Sequence, residues 1–165
     1  MIVSPLVDRG KITTNPEWYT PARYIEAART LMGSIDLDPA SCELANRTVK
    51  AAKFFDLASD GLKQQWCGNI FLNPPYGGRA PDWISKLRCE IACKRVSQAI
   101  LLVNCHISCS WFHALWLNPI CFVNHRIPFY GNPNNPSAES VFVYFGKNQN
   151  DFLDIFSAFG KVVLP

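Results

Sequence analysis

A short apolar run that ends in two consecutive prolines constrains this chain more than any other feature: Asn69-Ile70-Phe71-Leu72-Asn73-Pro74-Pro75-Tyr76-Gly77. Proline has no N–H to give to a ladder and pushes the residue before it into extended backbone, so a strand through Ile70 to Leu72 has to stop at Asn73. Its last carbonyls then face open space. Asn73 offers a side-chain carbonyl and Pro74 a backbone one, held side by side by the stiffness of Pro75, and such a pair matches the two hydrogens of an exocyclic amine. Tyr76 adds a flat face on which a planar base stacks, at about 1–3 kcal/mol per base. An amine conjugated to an aromatic ring is a poor nucleophile. Accepting both of its hydrogens localises the lone pair, and these bonds strengthen as positive charge grows on nitrogen during attack on a methylsulfonium carbon. No general base is required. The alternative is a proline-rich turn that merely closes a strand.

The chain has 165 residues, 48% of them apolar, which is enough to bury the core of one compact domain and too little for two. A net charge of +3 permits a polyanionic partner without demanding one. The start, Met1-Ile2-Val3-Ser4-Pro5, carries no signal-peptide pattern, and the 7 cysteines are odd in number, so reduced thiols in a cytosol are expected. No apolar run has the length of a membrane span. Cys89 and Cys93, then Cys105 and Cys109, repeat a four-residue spacing, but it is not the tight knuckle spacing of structural zinc, and no metal is assigned.

Residues 1–17 are polar, with no period, and read as a flexible arm ahead of a domain over 18–165. Thr20-Pro21 predicts a capped helix start, with Ile25, Ala28, Leu31 and Met32 as its apolar face and Gly33 as its stop. Ile35-Asp36-Leu37-Asp38 predicts a strand turning sharply at Pro39-Ala40-Ser41. One of its aspartates is placed to face a ligand, and Asp38, at the carboxyl end, is the stronger candidate. That turn has no glycines, so the backbone cradle of a pyrophosphate cofactor is missing and a cofactor without phosphates is expected, which S-adenosylmethionine satisfies. Asp60, in Ser59-Asp60-Gly61-Leu62, is either an acceptor for an adenine amine or a turn aspartate. Pro81-Asp82-Trp83 opens a helix, Gln98 to Val103 reads as a central parallel strand, and Ser110 to Leu117 reads as a helix. His106, just past the strand, is either a proton acceptor or a structural polar residue. His125 to Tyr130 and Ser140 to Phe145 read as the two strands of an antiparallel hairpin at the sheet edge. Arg126, Asn132 and Asn134 are either contacts for phosphates or base edges or solvated loop residues, and Arg79 is a further substrate-binding candidate. Asp151 to Phe159 predicts a last helix, followed by a short tail.

The ordered set Trp18-Tyr19-Thr20-Pro21, Ile35 to Ser41, Asp60-Gly61-Leu62, Trp66, Asn73-Pro74-Pro75-Tyr76-Gly77, His125 to Phe129 and Ser137 to Val141 resembles the phage-type DNA N-6-adenine methyltransferases, over nearly the whole chain from Trp18. The resemblance implies an α/β fold: a Rossmann-like S-adenosylmethionine-dependent methyltransferase sheet, mostly parallel with an antiparallel C-terminal hairpin and helices on both faces. It implies methyl transfer from S-adenosylmethionine to the N6 amine of an adenine flipped from double-stranded DNA, in the cytoplasm of a bacterial host cell and with no obligate protein partner. By the same resemblance, Asn73, Pro74, Pro75 and Tyr76 form the catalytic loop. Thr20, Pro21, Asp38, Pro39, Ala40, Asp60 and Asn73 contact the cofactor, and Trp18, Arg79, Arg126, Asn132 and Asn134 contact the substrate. The stretch from Asp38 to Asn73 is short, and the loss of a full strand carrying a ribose-binding acid is expected. Two other functions fit the loop or the fold: methylation of a protein glutamine amide, and a non-catalytic nucleic-acid-binding module.

Overall fold

In a computed structural model of the chain, residues 18–130 and 138–165 are described. Tyr24, Ile25, Ala27, Ala28, Leu31 and Met32 are the buried face of helix α1 (Ala22–Met32), which ends where the Gly33 N–H returns to the Arg29 oxygen. Gly33 sits at φ 83°, a left-handed conformation that glycine adopts without steric cost. Pro21, in extended backbone, is the helix cap, and no side chain caps it. The hydroxyl of Thr20 is therefore free for another role.

The chain continues through β1 (Leu37–Asp38), α2 (Glu43–Val49), β2 (Lys53–Phe54), a 3-10 turn at Gly61–Lys63, β3 (Gly68–Leu72), α3 (Ala80–Ala92), β4 (Val96–Asn104), α4 (Ser110–His113), β5 (Ile120–Val123), β6 (Ser140–Phe145), α5 (Gln149–Phe156) and β7 (Gly160–Val163). Among the described residues the strands form one sheet in the order β2-β1-β3-β4-β6-β5-β7. The first four run parallel to one another, and every later pairing is antiparallel.

Side chains alternate across this sheet. Phe71, Ile100, Leu102, Phe142 and Tyr144 pack on one face with α1 and α5, and Ile70, Leu72, Ala99, Leu101, Val103, Val141 and Val143 pack on the other with α3. A strand buried on both faces reads as an unbroken apolar run, which is what β4 and β6 are. Helices cover both faces, as expected. The result is a mixed α/β fold, consistent with a methyltransferase-like one.

Several expectations change. The antiparallel hairpin at the sheet edge is not there. Ser140–Phe145 lies inside the sheet, between β4 and β5, and its sequence-adjacent partner is Ile120–Val123. Residues 125–130 form no strand, and only Tyr130 bridges to Tyr19. Pro128 interrupts any ladder there. The sheet is mostly parallel only in its first half. The helix expected over Ser110 to Leu117 is one turn, Ser110–His113. Val162-Val163 is no tail but part of the edge strand β7. The arm over 1–17 and the loop at 131–137, with Asn132 and Asn134, lie outside the described residues.

Because β1 to β4 are parallel, their carboxyl ends share one rim, and β6 begins there because it runs the other way. Asp38, Asn73, Asn104 and Ser140 are the residues at those ends. Open α/β sheets bind ligands at this rim. Asp36, two residues below it, accepts from the Asn69 N–H at 2.8 Å and from the Ser34 hydroxyl at 2.8 Å, so it ties β1 to β3 and does not reach the rim.

Candidate active site

Beyond Leu72 the chain leaves the sheet at Asn73, and the prolines keep it from turning back. The Asn73 Nδ2 donates to the main-chain oxygen of Trp18 at 2.8 Å and to the Thr20 hydroxyl oxygen at 3.2 Å. A main-chain carbonyl can only accept, so the amide orientation is fixed by its surroundings. The other end, Oδ1, is buried and has no partner among the described residues. A buried acceptor left open costs about 1–3 kcal/mol, and it marks where a donor belongs. Sequence reasoning expected that acceptor but missed that Trp18 and Thr20 aim it.

Tyr76 packs with Trp18 at 5.4 Å between ring centroids and 54° between planes, and with Phe129 at 5.9 Å and 76°. Trp18 and Phe129 are themselves 5.7 Å apart and edge-on. Burial raises the Tyr76 phenol well above its ordinary pKa, so it stays protonated. Phe129 was read as part of a strand. Its signal was present in Ile127-Pro128-Phe129, where a proline followed by an aromatic argues for a rim loop instead.

Asn73 and Tyr76 line a cavity of about 420 Å³ together with Trp18, Thr20, Asp38, Pro39 and Ala40. Phe55, Leu57 and Trp83 supply apolar walls, and Asp56 and Asp60 supply two more carboxylates. Asp38 is 4% exposed, and burial pushes its carboxyl up to about 7 although the Ala40 N–H donates to it at 3.3 Å. Asp60 is held below the usual carboxylate range by the Lys63 ammonium, 3.0 Å away, and Asp56 by the Ser59 hydroxyl and amide. Gly61 closes the floor. A Cβ built on it would stand 1.9 Å from the Pro39 oxygen, so only glycine lets the turn after β1 sit this close. Asp56 went unnoticed in the sequence. The signal was an acid two residues past the second parallel strand, at the same rim as Asp38.

Arg79 lines the same cavity and pairs with Asp82 at 3.2 Å, both largely exposed. Arg126 pairs with Glu139 at 3.5 Å. Exposed pairs of this kind are worth roughly 0–1 kcal/mol, so Arg79 can exchange its carboxylate for a phosphate at little cost. Pro21, expected at the cofactor, caps α1 beside Thr20 but does not line the cavity.

A second cavity, of about 320 Å³, lies on the other side of the loop, and Pro74 to Gly78 form a wall common to both. His106 belongs to this second cavity and not to the first. All seven cysteines are free, and among the described residues no three His, Cys, Asp or Glu side chains group as metal ligands. No helix among them is long and apolar enough to cross a membrane.

A mixed α/β sheet that ends in an acceptor-bearing loop over a carboxylate-lined pocket is consistent with a methyltransferase-like fold. The chain belongs to the DNA N-6-adenine-methyltransferase (Dam) family, whose model matches residues 10–151 and so spans every rim element just described. No curated protein matches the chain.

Proposed function

We propose that this protein transfers a methyl group from S-adenosylmethionine to the N6 amine of an adenine flipped out of double-stranded DNA, as a phage-type enzyme acting in the cytoplasm of a bacterial host. The open Oδ1 of Asn73 carries the reading. It is a buried acceptor with a fixed orientation beside an aromatic face, and an adenine amine is a donor that lies within the stack of a duplex unless the base is extruded.

The larger cavity fits the cofactor. Three carboxylates with apolar walls and no glycine-rich cradle suit a ligand that carries cationic groups and an adenosine, and they repel a pyrophosphate. Asp38 and Ala40 would hold the end near the reacting carbon, Asp56 and Asp60 the adenosine end, and Thr20 the side facing Asn73. When bound, S-adenosylmethionine supplies an electrophilic methyl on sulfonium. The protein's own part is positioning. Asn73 Oδ1 and the Pro74 carbonyl accept the two amine hydrogens, Tyr76 and Phe129 hold the plane of the base, and the surrounding rings keep water away. Charge that develops on nitrogen strengthens bonds already aimed at it, which lowers the barrier without a base. Arg79, which lines the pocket, and Arg126 are suited to the DNA backbone.

The test is to incubate the purified chain with a methyl-labelled donor and either unmethylated DNA or protein extract, and to identify the labelled product by mass spectrometry. N6-methyladenine in the DNA digest is expected. Label in protein glutamine would move the assignment to amide methylation, and no transfer to either would leave a nucleic-acid-binding module.

A further inference from the structure

The second cavity is not needed for the amine or for the cofactor, yet it lies one loop's thickness from both. Its walls are the Pro74–Gly78 loop, the end of β4 and the start of α4, with the indole of Trp111, the imidazole of His106 and the amide of Asn104. At about 320 Å³ it stands at the lower end of the range of small-molecule pockets, which is on the order of 300–1,000 Å³. That is room for a single planar heterocycle. Asn104 has a buried side-chain oxygen with no partner among the described residues, whereas the nearby hydroxyls of Ser140 and Tyr76 face each other. A buried amide oxygen left open on a cavity wall marks where a donor belongs.

Resting on the reading above, the geometry points to this cavity as a subsite for the base next to the target adenine, with Asn104 as a specificity-determining residue and Trp111 as its stacking surface. The ligand class follows from the walls. An indole and an imidazole favour a flat ring of any sequence, and an amide oxygen favours a ring that carries an amino group. Adenine and cytosine present amino groups on their major-groove edges, and thymine presents only a carbonyl and a methyl. A neighbour of target adenine that enters this space is therefore selected for its amine. The shared loop sets target and neighbour on its two sides.

The experiment is methylation of a pool of duplexes randomised on both sides of a single adenine, with product sequenced to give relative kcat/KM for every neighbour. The wild-type chain is expected to prefer an amino-bearing base over thymine at one flanking position by roughly tenfold or more, the usual size of one base-edge contact. Asn104→Leu should flatten that position alone, and Asn104→Asp, which keeps an acceptor, should retain the preference. Trp111→Leu should raise KM for all neighbours alike by roughly tenfold. Thermal melts and cofactor affinity of all three variants should stay close to wild type. An Asn104→Leu enzyme that keeps the preference, or one that loses rate equally on every neighbour, overturns the subsite while leaving the methyltransferase reading intact. A wild-type chain that methylates no duplex at all overturns that reading and takes the subsite with it.

Discussion

The amide nitrogen of Asn73 lies 2.8 Å from the main-chain oxygen of Trp18, so a residue 55 positions earlier in the chain decides which end of that amide faces the pocket. Removing the amide should remove the acceptor without emptying the site. Asn73→Ala is expected to lower single-turnover methylation by about 10²–10³, the cost of one preorganised electrostatic contact, with cofactor affinity changed much less. Thr20→Val, which deletes the weaker of the two bonds aiming the amide, should cost far less. Equal losses in both variants would mean that Thr20 does more than help to aim the amide.

Tyr76 separates two functions of one side chain. Tyr76→Ala should lower turnover while cofactor binding, read by calorimetry, stays largely intact, because the ring serves the base. Tyr76→Phe keeps the ring and deletes a buried hydroxyl whose polar neighbour is the Ser140 hydroxyl, a pair short of full hydrogen-bond geometry. It should be close to wild type in stability, since little bonding is removed at constant shape. A large loss of melting temperature in the phenylalanine variant would show that the hydroxyl is bonded after all.

Asp38 predicts a dependence on pH. Its carboxyl rises from 3.8 unfolded to about 7 folded, so the contribution to stability is fully present below the unfolded value and is lost as pH rises through about 7. The ligand-free protein should melt at lower temperature above pH 7, and Asp38→Asn should remove that slope. A cationic cofactor at this carboxylate would favour its ionised form, so binding near neutral pH should release a proton. Calorimetry in buffers of different ionisation heat would register it, and no proton release would place the cation elsewhere.

On the acid side His125 contributes a second dependence. Tyr24, 2.6 Å away, and Arg23, 2.8 Å away, both approach its Nε2, while Nδ1 faces Asn124 at 2.8 Å. An Nε2 that receives two donors has to be neutral, and burial together with the Arg23 charge lowers the imidazole below 6.5. A depressed histidine gives stability that is present above its unfolded value and lost as pH falls below it. Melting temperature should therefore fall below pH 6.5, and His125→Gln should flatten that fall. An unchanged slope in the variant would assign the acid sensitivity to other groups.

Gly61→Ala should damage the larger cavity from below. The added carbon meets backbone, the Pro39 oxygen, rather than a flexible side chain, so the turn after β1 must move. Overpacking of this kind costs about 1–3 kcal/mol, and cofactor affinity should fall with stability. Unaltered affinity would show that Pro39 and Ala40 are not cofactor contacts.

The strand and its prolines were legible because two rules, no ladder N–H and no room for a helix, act on the same residues. Helices on both faces came from the family resemblance, and the apolar run of β4, buried on both sides, agrees with it. The order of the strands was not legible. Val141 to Phe145 is an unbroken apolar run, and such a run fits an inner strand whatever its direction, so nothing local told it to insert between β4 and β5. Residues 125–130 alternate like a strand, but Ile127 and Phe129 are buried against the rim rather than in a ladder. The acceptor of Asn73 could be named from sequence, whereas the bonds that aim it come from Trp18 and Thr20, a tertiary contact with no local sign.

Residues Pro74 to Gly78 face two hollows at once, and a partition cannot yield to one side without trespassing on the other. A guest that shifts this loop toward one hollow therefore changes the room left in the other. Equilibrium linkage requires that whatever factor DNA applies to the hold on the methyl donor, the donor returns to DNA. Affinities taken one ligand at a time describe a half-furnished molecule.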